Sequence, residues 1–267
     1  GYSNTAVGSS ALDANITGAQ NVAIGTDALG ANTTNNNTAV GFSALKVNTS
    51  GTGNASLGYS SLDANTTGSN NTAVGADSLT TNTTGASNTG LGATTLLSNT
   101  TGTFNTASGH ASLYANTTAN SNTASGYESL RFNTTGASNT AIGHQSLRAN
   151  TTASNNVAVG QAALTANTTG TQNIGIGLNA LAANTTANSN VAIGTNALVT
   201  NTTGASNTAV GENTLNANTT ASNNSAFGST ALDANTTGTQ NGAFGSNTLS
   251  TLTTGNYNNA FGYAALF

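Results

Sequence analysis

Residues 71–87 read NTAVGADSLTTNTTGAS, and variants of this 17-residue unit follow one another along nearly the whole chain. When positions are counted from the leading Asn, position 1 is always Asn, position 5 always Gly and position 9 always Leu. The glycine recurs every 17 residues from Gly8 to Gly262, except for an interval of 16 between Gly25 and Gly41. There, one residue is missing after residues 32–34. The chain is therefore a tandem array of about sixteen repeats.

The length and composition of the unit predict the fold. Seventeen residues are too few for a helix-turn-helix repeat, which needs about 33, and Gly, Asn and Thr are poor helix formers. Positions 2 to 4 predict a short strand, positions 8 to 11 a second one with Leu in the core, and NTTG a turn. We expect an all-β protein, a parallel β-solenoid (β-roll or β-helix) of about sixteen 17-residue coils.

The repeats cover the chain without a linker, so we expect a single domain over residues 1–267. The sequence begins at repeat position 15 with Gly1 and stops at position 10 with Phe267. Neither terminal repeat differs from the others in the way that capping coils of solenoids do. We therefore expect the domain to be a segment of a longer fibre.

The small residues at positions 3 and 5 suggest a contact between chains. If Val or Ile at position 4 faces the coil interior, Ala at position 3 and Gly at position 5 face outward, where they allow another chain to approach closely. This hypothesis predicts an oligomer seam, around a threefold axis, that includes Ala73, Gly75, Ala141 and Gly143. The alternative is that Gly at position 5 only supplies a backbone angle φ above zero.

Two asparagine columns have a structural interpretation and two alternatives. Asn side chains at positions 1 and 12 can bond to the coils above and below, as in the Asn ladders of stacked β structures. A ligand-binding role is one alternative. The other is glycosylation, because position 12 starts an N-x-T/S sequon in fourteen repeats, from Asn15 to Asn235.

The composition excludes several classes of function. Three Lys and Arg residues against seven Asp and Glu cannot form a basic nucleic-acid footprint, and a chain without Cys has no thiolate metal site. No apolar run approaches the roughly 18 residues of a membrane-spanning helix. His110 and His144 share position 6 but lie two coils apart, too far to converge on one metal ion. We therefore predict no catalytic residue, no cofactor and no metal, and hence no enzyme.

Position 6 varies most and carries aromatic rings in six repeats, which suit recognition of carbohydrate or protein by stacking and hydrogen bonding. They are Phe42, Tyr59, His110, Tyr127, His144 and Tyr263. The alternative is tolerated variation of a surface. The region richest in side-chain variety is the candidate receptor contact, and it comprises Tyr114, Tyr127, Arg131, Phe132 and His144.

The repeat resembles known fibre proteins. The steps from Asn71 to Gly75 and from Asn139 to Gly143 resemble the NSVAIG step of trimeric autotransporter adhesin heads, whose repeat is nearer 14 residues. The string NVAIGTNALVTNTTGAS at residues 190–206 resembles repeats of phage tail-fibre-like and bacterial surface proteins. Those chains often end in a chaperone-of-endosialidase domain, which this sequence does not contain. The resemblance implies a trimeric extracellular fibre, on a cell surface or a virion, without an enzyme active site.

These observations together predict a structural or adhesive fibre, the shaft or head of a homotrimer or filament that contacts a cell-surface receptor. The alternative is an ice- or surface-binding solenoid, because Thr recurs at positions 13 and 14 and a regular array of Thr side chains orders water. Adjacent Thr residues in a turn point in two directions, which argues against a flat Thr face.

Overall fold

A computed structural model describes residues 1–266, and Phe267 lies outside the described residues. Sixteen strands of three residues form a parallel sheet in which strand order follows the chain, so the predicted β-solenoid is confirmed, with about fifteen coils. Every strand covers positions 2 to 4. The strands are β1 Thr5–Val7, β2 Val22–Ile24, β3 Thr38–Val40, β4 Ala55–Leu57, β5 Thr72–Val74, β6 Thr89–Leu91, β7 Thr106–Ser108, β8 Thr123–Ser125, β9 Thr140–Ile142, β10 Val157–Val159, β11 Ile174–Ile176, β12 Val191–Ile193, β13 Thr208–Val210, β14 Ser225–Phe227, β15 Gly242–Phe244 and β16 Asn259–Phe261.

The chain divides into two compact units. The first unit, Gly1–Thr135, contains β1 to β8, and the second begins at Gly136 and contains β9 to β16. Within each unit every strand pairs with the next one at equivalent repeat positions, as in Thr72↔Thr89 of the first and Val157↔Ile174 of the second. The 17-residue period therefore sets the register, because equivalent residues of successive coils lie side by side.

Side chains at position 3 point into the coil, and the predicted orientation of the strands was wrong. Ala73 and Ala141 are fully buried within their own coils, and residues at positions 2 and 4 face outward. A methyl group added at Gly175, a position 3 glycine, would lie 3.3 Å from Cγ of Leu164, the core leucine of the preceding coil. The interior has no room there for a branched side chain, so the small residue faces inward and the larger ones face out.

The glycine column has an explanation within the chain, which corrects the predicted seam. Gly75 and Gly143 have φ of 129°, and a Cβ atom at Gly75 would lie 2.6 Å from the carbonyl oxygen of Gly92 in the next coil. The stacking of successive coils therefore requires glycine at position 5. A seam formed by Ala73, Gly75, Ala141 and Gly143 is contradicted, because the two alanines are inaccessible to another chain and the two glycines are explained by coil stacking.

The leucine column is buried as predicted, but the second strand is not found. Leu79, Leu96, Leu113 and Leu130 have no exposed surface. Positions 8 to 11 form a turn instead, because each of the sixteen leucines has φ between 49° and 54°. This left-handed conformation is costly for a residue with a side chain, and it reverses the chain while burying the leucine. Bonds between coils hold the turn, as where the Leu79 amide donates to the Thr95 carbonyl at 2.9 Å.

The two asparagine columns form the predicted ladders. At position 1, the backbone amide of Asn71 donates to Oδ1 of Asn54 in the preceding coil at 2.9 Å. At position 12, Nδ2 of Asn82 donates to Oδ1 of Asn65 at 2.8 Å and to the carbonyl of Gly85 at 2.9 Å. The polar groups of a thin core are satisfied in this way by identical groups of the neighbouring coils.

The 16-residue coil keeps these bonds. The side chains of Asn21 and Asn32 both donate to the carbonyl of Thr34, at 2.7 and 2.9 Å. In complete coils, the carbonyl of position 15 accepts these bonds, as Gly85 does from Asn71 and Asn82. The missing residue thus falls in the turn, and β2 and β3 stay in register.

Candidate functional site

The outward side chains at positions 2 and 4, which we call the outer sheet face, form a regular surface that continues through the coils of each unit. Position 4 is apolar in every coil of the second unit, and Ile142 and Ile193 remain 42% and 38% exposed. Positions 2 and 4 carry no charged residue in any of the sixteen repeats. In the second unit, position 4 is occupied by Ile142, Val159, Ile176, Ile193, Val210, Phe227, Phe244 and Phe261.

This face was not predicted from the sequence, because the larger apolar residues were expected to lie inside the coil. One signal could have revealed it. Position 4 ranges in size from Ser108 to Phe227, whereas position 3 is always Ala, Gly or Ser. A close-packed interior tolerates little change in volume, so the column that varies in size is the one that faces out.

Three phenylalanines extend the outer sheet face of the second unit as a stacked ladder. The ring centroids of Phe227 and Phe244 lie 5.2 Å apart, and those of Phe244 and Phe261 lie 4.8 Å apart. The rings are nearly parallel, at 9° and 4°. Phe227 is 38% and Phe261 71% exposed. The neighbouring position 2 residues are Ser225, Gly242 and Asn259, smaller or more polar than the Thr, Val and Ile of β9 to β13.

The first unit brings together most of the candidate receptor contact. The guanidinium carbon of Arg131 lies 5.6 Å from the ring centroid of Tyr114 and 5.2 Å from that of Phe132. Tyr127 stacks on His110, with the ring centroids 5.6 Å apart. The fifth predicted residue, His144, is exposed in the second unit.

The charge of Arg131 is balanced locally. Its guanidinium pairs with the carboxylate of Glu128, whose side chain is only 8% exposed, whereas the Arg131 side chain is 30% exposed. The Nε atom of Arg131 is buried without a hydrogen-bond partner. The charges of Arg131 and Glu128 cancel, so the cluster has no net charge with which to bind a charged group. Its aromatic rings are therefore the part that suits a ligand, through stacking.

A second ion pair lies in the first unit, where Nζ of Lys46 is 3.1 Å from Oδ2 of Asp27. Asp63 interacts electrostatically with both residues of this ion pair. Burial raises the pKa of the Asp63 carboxyl above the ordinary value for aspartate. The positive charge of Lys46 opposes that rise in pKa, and the negative charge of Asp27 adds to it. Oδ1 of Asp63 is buried without a hydrogen-bond partner, so the ionised carboxyl is a small cost to the stability of the fold at neutral pH.

The asparagines of the N-x-T/S sequons form the position 12 ladder of hydrogen bonds. Those at position 12 from Asn32 to Asn235 are fully buried, and the Nδ2 atom of Asn82 already makes two hydrogen bonds. A glycan needs that nitrogen free and accessible, so the fold favours the ladder over glycosylation. Among residues 1–266, no three His, Asp or Glu side chains lie together in a way that could hold a metal ion.

Nothing in residues 1–266 forms a helix with the length and hydrophobicity needed to span a membrane. Comparison of the chain with models of known protein families found no match. Comparisons with curated proteins and with solved structures also found none. The inference of function therefore depends on the surfaces of the solenoid.

Proposed function

We propose that this chain is a structural and adhesive fibre element without catalytic activity, whose copies associate through the outer sheet face into a homotrimer. The observation that carries the proposal is the column at position 4, which is apolar, uncharged and partly or fully exposed in every coil of the second unit. Contiguous exposed apolar surface of this kind marks interaction sites in soluble proteins. The resemblance to trimeric extracellular fibres supports three copies and a place on a cell surface or virion.

The outer sheet face suits another copy of the same chain better than an unrelated partner. A partner that contacts successive coils must repeat at the same spacing, about 4.8 Å per coil. Another copy has that spacing, and the absence of charge at positions 2 and 4 removes repulsion between identical faces. The cluster of Tyr114, Arg131 and Phe132 lies away from these columns, at positions 10 and 11, and is the proposed contact with a carbohydrate or protein receptor.

The oligomeric state tests the proposal. Sedimentation velocity of the parent chain is expected to show three copies, and Ile176→Asp to show one, because a carboxylate would be buried without a partner at the interface. Gln161→Asp is the matched control, since it adds the same charge at an exposed position 6. Circular dichroism should be unchanged in both variants. A parent chain that remains a single copy at every concentration would overturn the proposal.

Ice binding is a second candidate, favoured by the threonines of the outer sheet face. Thr72, Thr89, Thr106 and Thr123 are aligned in successive strands β5 to β8 of the first unit. Their hydroxyl and methyl groups thus repeat along one strand surface. The Thr pairs at positions 13 and 14 lie in turns and not on a strand surface. An assay of ice recrystallisation decides between the candidates. Inhibition by a single-copy parent, lost in Thr89→Glu, would support ice binding, because a face buried between copies cannot meet ice.

A further inference from the structure

The outer sheet face of the second unit has a direction. Its first five strands, β9 to β13, carry Ile or Val at position 4, and its last three carry Phe227, Phe244 and Phe261. Position 2 changes at the same point. A Cβ atom at Gly242 would lie 3.5 Å from the Phe244 ring and 2.5 Å from Oδ1 of Asn259. The ring of Phe244 therefore approaches column 2, and the last three coils present an aromatic surface where the others present an aliphatic one.

The stacking decides what this aromatic surface can receive. Phe244 lies between Phe227 and Phe261, with ring centroids 5.2 and 4.8 Å away and nearly parallel planes. Neighbouring rings therefore cover both faces of Phe244. A sugar that stacks on an aromatic side chain needs an uncovered ring face, which Phe244 does not offer. The ring edges remain available, and edges pack well against other aromatic rings. Phe227 and Phe261 each keep one face that no ring of the ladder covers, whereas the edges are available along the whole ladder, which favours a protein partner with its own aromatic groups.

We propose that Phe227, Phe244 and Phe261 align associating copies in the same direction and register, aromatic ladder against aromatic ladder. This inference depends on the proposed association through the outer sheet face. The aliphatic coils are so similar that copies could slip by one coil, about 4.8 Å, with little change in contacts. A slip or a reversal would place Phe rings against Ile and Val, whose different size leaves gaps in a close-packed interface.

Spin labels can test the alignment, because the chain has no Cys. Gln161→Cys, Leu178→Cys and Ser229→Cys place labels at exposed position 6 sites in three different coils of the second unit. Each is labelled separately, and pulsed electron paramagnetic resonance measures distances between copies. Parallel copies in register should give one narrow distance distribution at each site, with similar means. Antiparallel copies should give unequal means, which would overturn the proposal.

The decisive variant replaces Phe227, Phe244 and Phe261 together by Val, the residue found at position 4 in Val159 and Val210. The copies should still associate, but the distributions should broaden toward longer distances, because a slip by one or more coils of about 4.8 Å moves equivalent labels apart along the rod. The matched control replaces Ile142, Ile176 and Ile193 by Val. In this control the distance distributions should stay narrow.

Narrow distributions in the Phe variant would overturn the alignment while leaving the association intact. A single-copy parent would instead overturn the association itself. Binding of a neutral oligosaccharide such as cellohexaose by the parent, lost in the Phe variant, would overturn the proposal in favour of a carbohydrate site.

Discussion

In the second unit, the inward and outward residues of the same strands differ sharply in how much they vary. Position 3, which faces inward, is Ala in every strand but one, where it is Gly175. Position 4, one residue later, changes from Ile142 to Val210 to Phe244. Positions 3 and 4 belong to the same strands, so the difference reflects the surroundings of the side chain, which are the packed interior at position 3 and the surface at position 4. The interior accepts one size, whereas the exterior can change its chemistry without disturbing the fold.

The largest effect is expected where two coils touch through their backbones. At Gly194, φ is 135°, and a Cβ atom would lie 2.4 Å from the carbonyl oxygen of Gly211. Gly194→Ala should lower the free energy of unfolding by about 2–6 kcal/mol, from backbone strain and overpacking. Urea unfolding followed by circular dichroism measures it. Gly30→Ala, with its nearest contact at 3.4 Å and no positive φ, should change stability by about 0.5 kcal/mol or less.

The next effect contrasts a core leucine with an outward isoleucine. Leu198→Ala should lower the free energy of unfolding by about 2–5 kcal/mol, because Leu198 is fully buried. Ile193→Ala should cost about 1 kcal/mol, because its side chain is 38% exposed. Both are to be measured in the Ile176→Asp background, so that association does not contribute. Equal losses in the two variants would show that position 4 faces inward after all.

The asparagine ladder gives a smaller effect. Asn201 donates to Oδ1 of Asn184 at 3.1 Å and accepts from Nδ2 of Asn218 at 2.8 Å. Asn201→Ala leaves these buried partners unsatisfied and should cost about 1–3 kcal/mol. Asn216→Ala is the control, since that half-buried side chain makes one bond of 3.4 Å outside the ladder. If thermal unfolding shows the same loss for both variants, the ladder contributes nothing beyond an ordinary surface amide.

The smallest effect depends on pH. Burial raises the pKa of Asp63 in the folded chain, so the folded state binds its proton more readily than the unfolded state does. Ionised Asp63 therefore destabilises the fold at neutral pH, and this cost disappears as the pH falls below the unfolded value of about 3.9. Asp63→Asn should raise the melting temperature at pH 7 and not at pH 3.

Asp13→Asn is the control for that experiment, because Asp13 occupies the same repeat position and is exposed. Its melting temperature should match that of the parent at both pH values. A lower melting temperature of Asp63→Asn at pH 7 would mean that the attraction of Lys46 outweighs burial.

The cluster around Arg131 shows how far a candidate site could be predicted. Its residues stood out because this part of the chain has the richest variety of side chains, and the contact of Arg131 with Tyr114 follows from the coil spacing, since the two are 17 residues apart. Phe132 follows Arg131 directly in the chain. The ion pair with Glu128 did not follow from the sequence. It depends on a turn between positions 7 and 10 that the expected second strand would not have made.

The sequence by itself determined the period, the parallel register, the buried leucines and the asparagine ladders. These are consequences of spacing, since identical residues at equal intervals must stack once any coil closes. Only the tertiary structure gave the physical reason why position 3 faces inward. Alternation divides Ala73 from Val74 without saying which lies inside, and the variation in size at position 4 indicates the side without its cause. That choice depends on the width of the closed coil. With the left-handed leucines packed inside, the coil has room at position 3 only for Ala, Gly or Ser, and the apolar column is left on the outside.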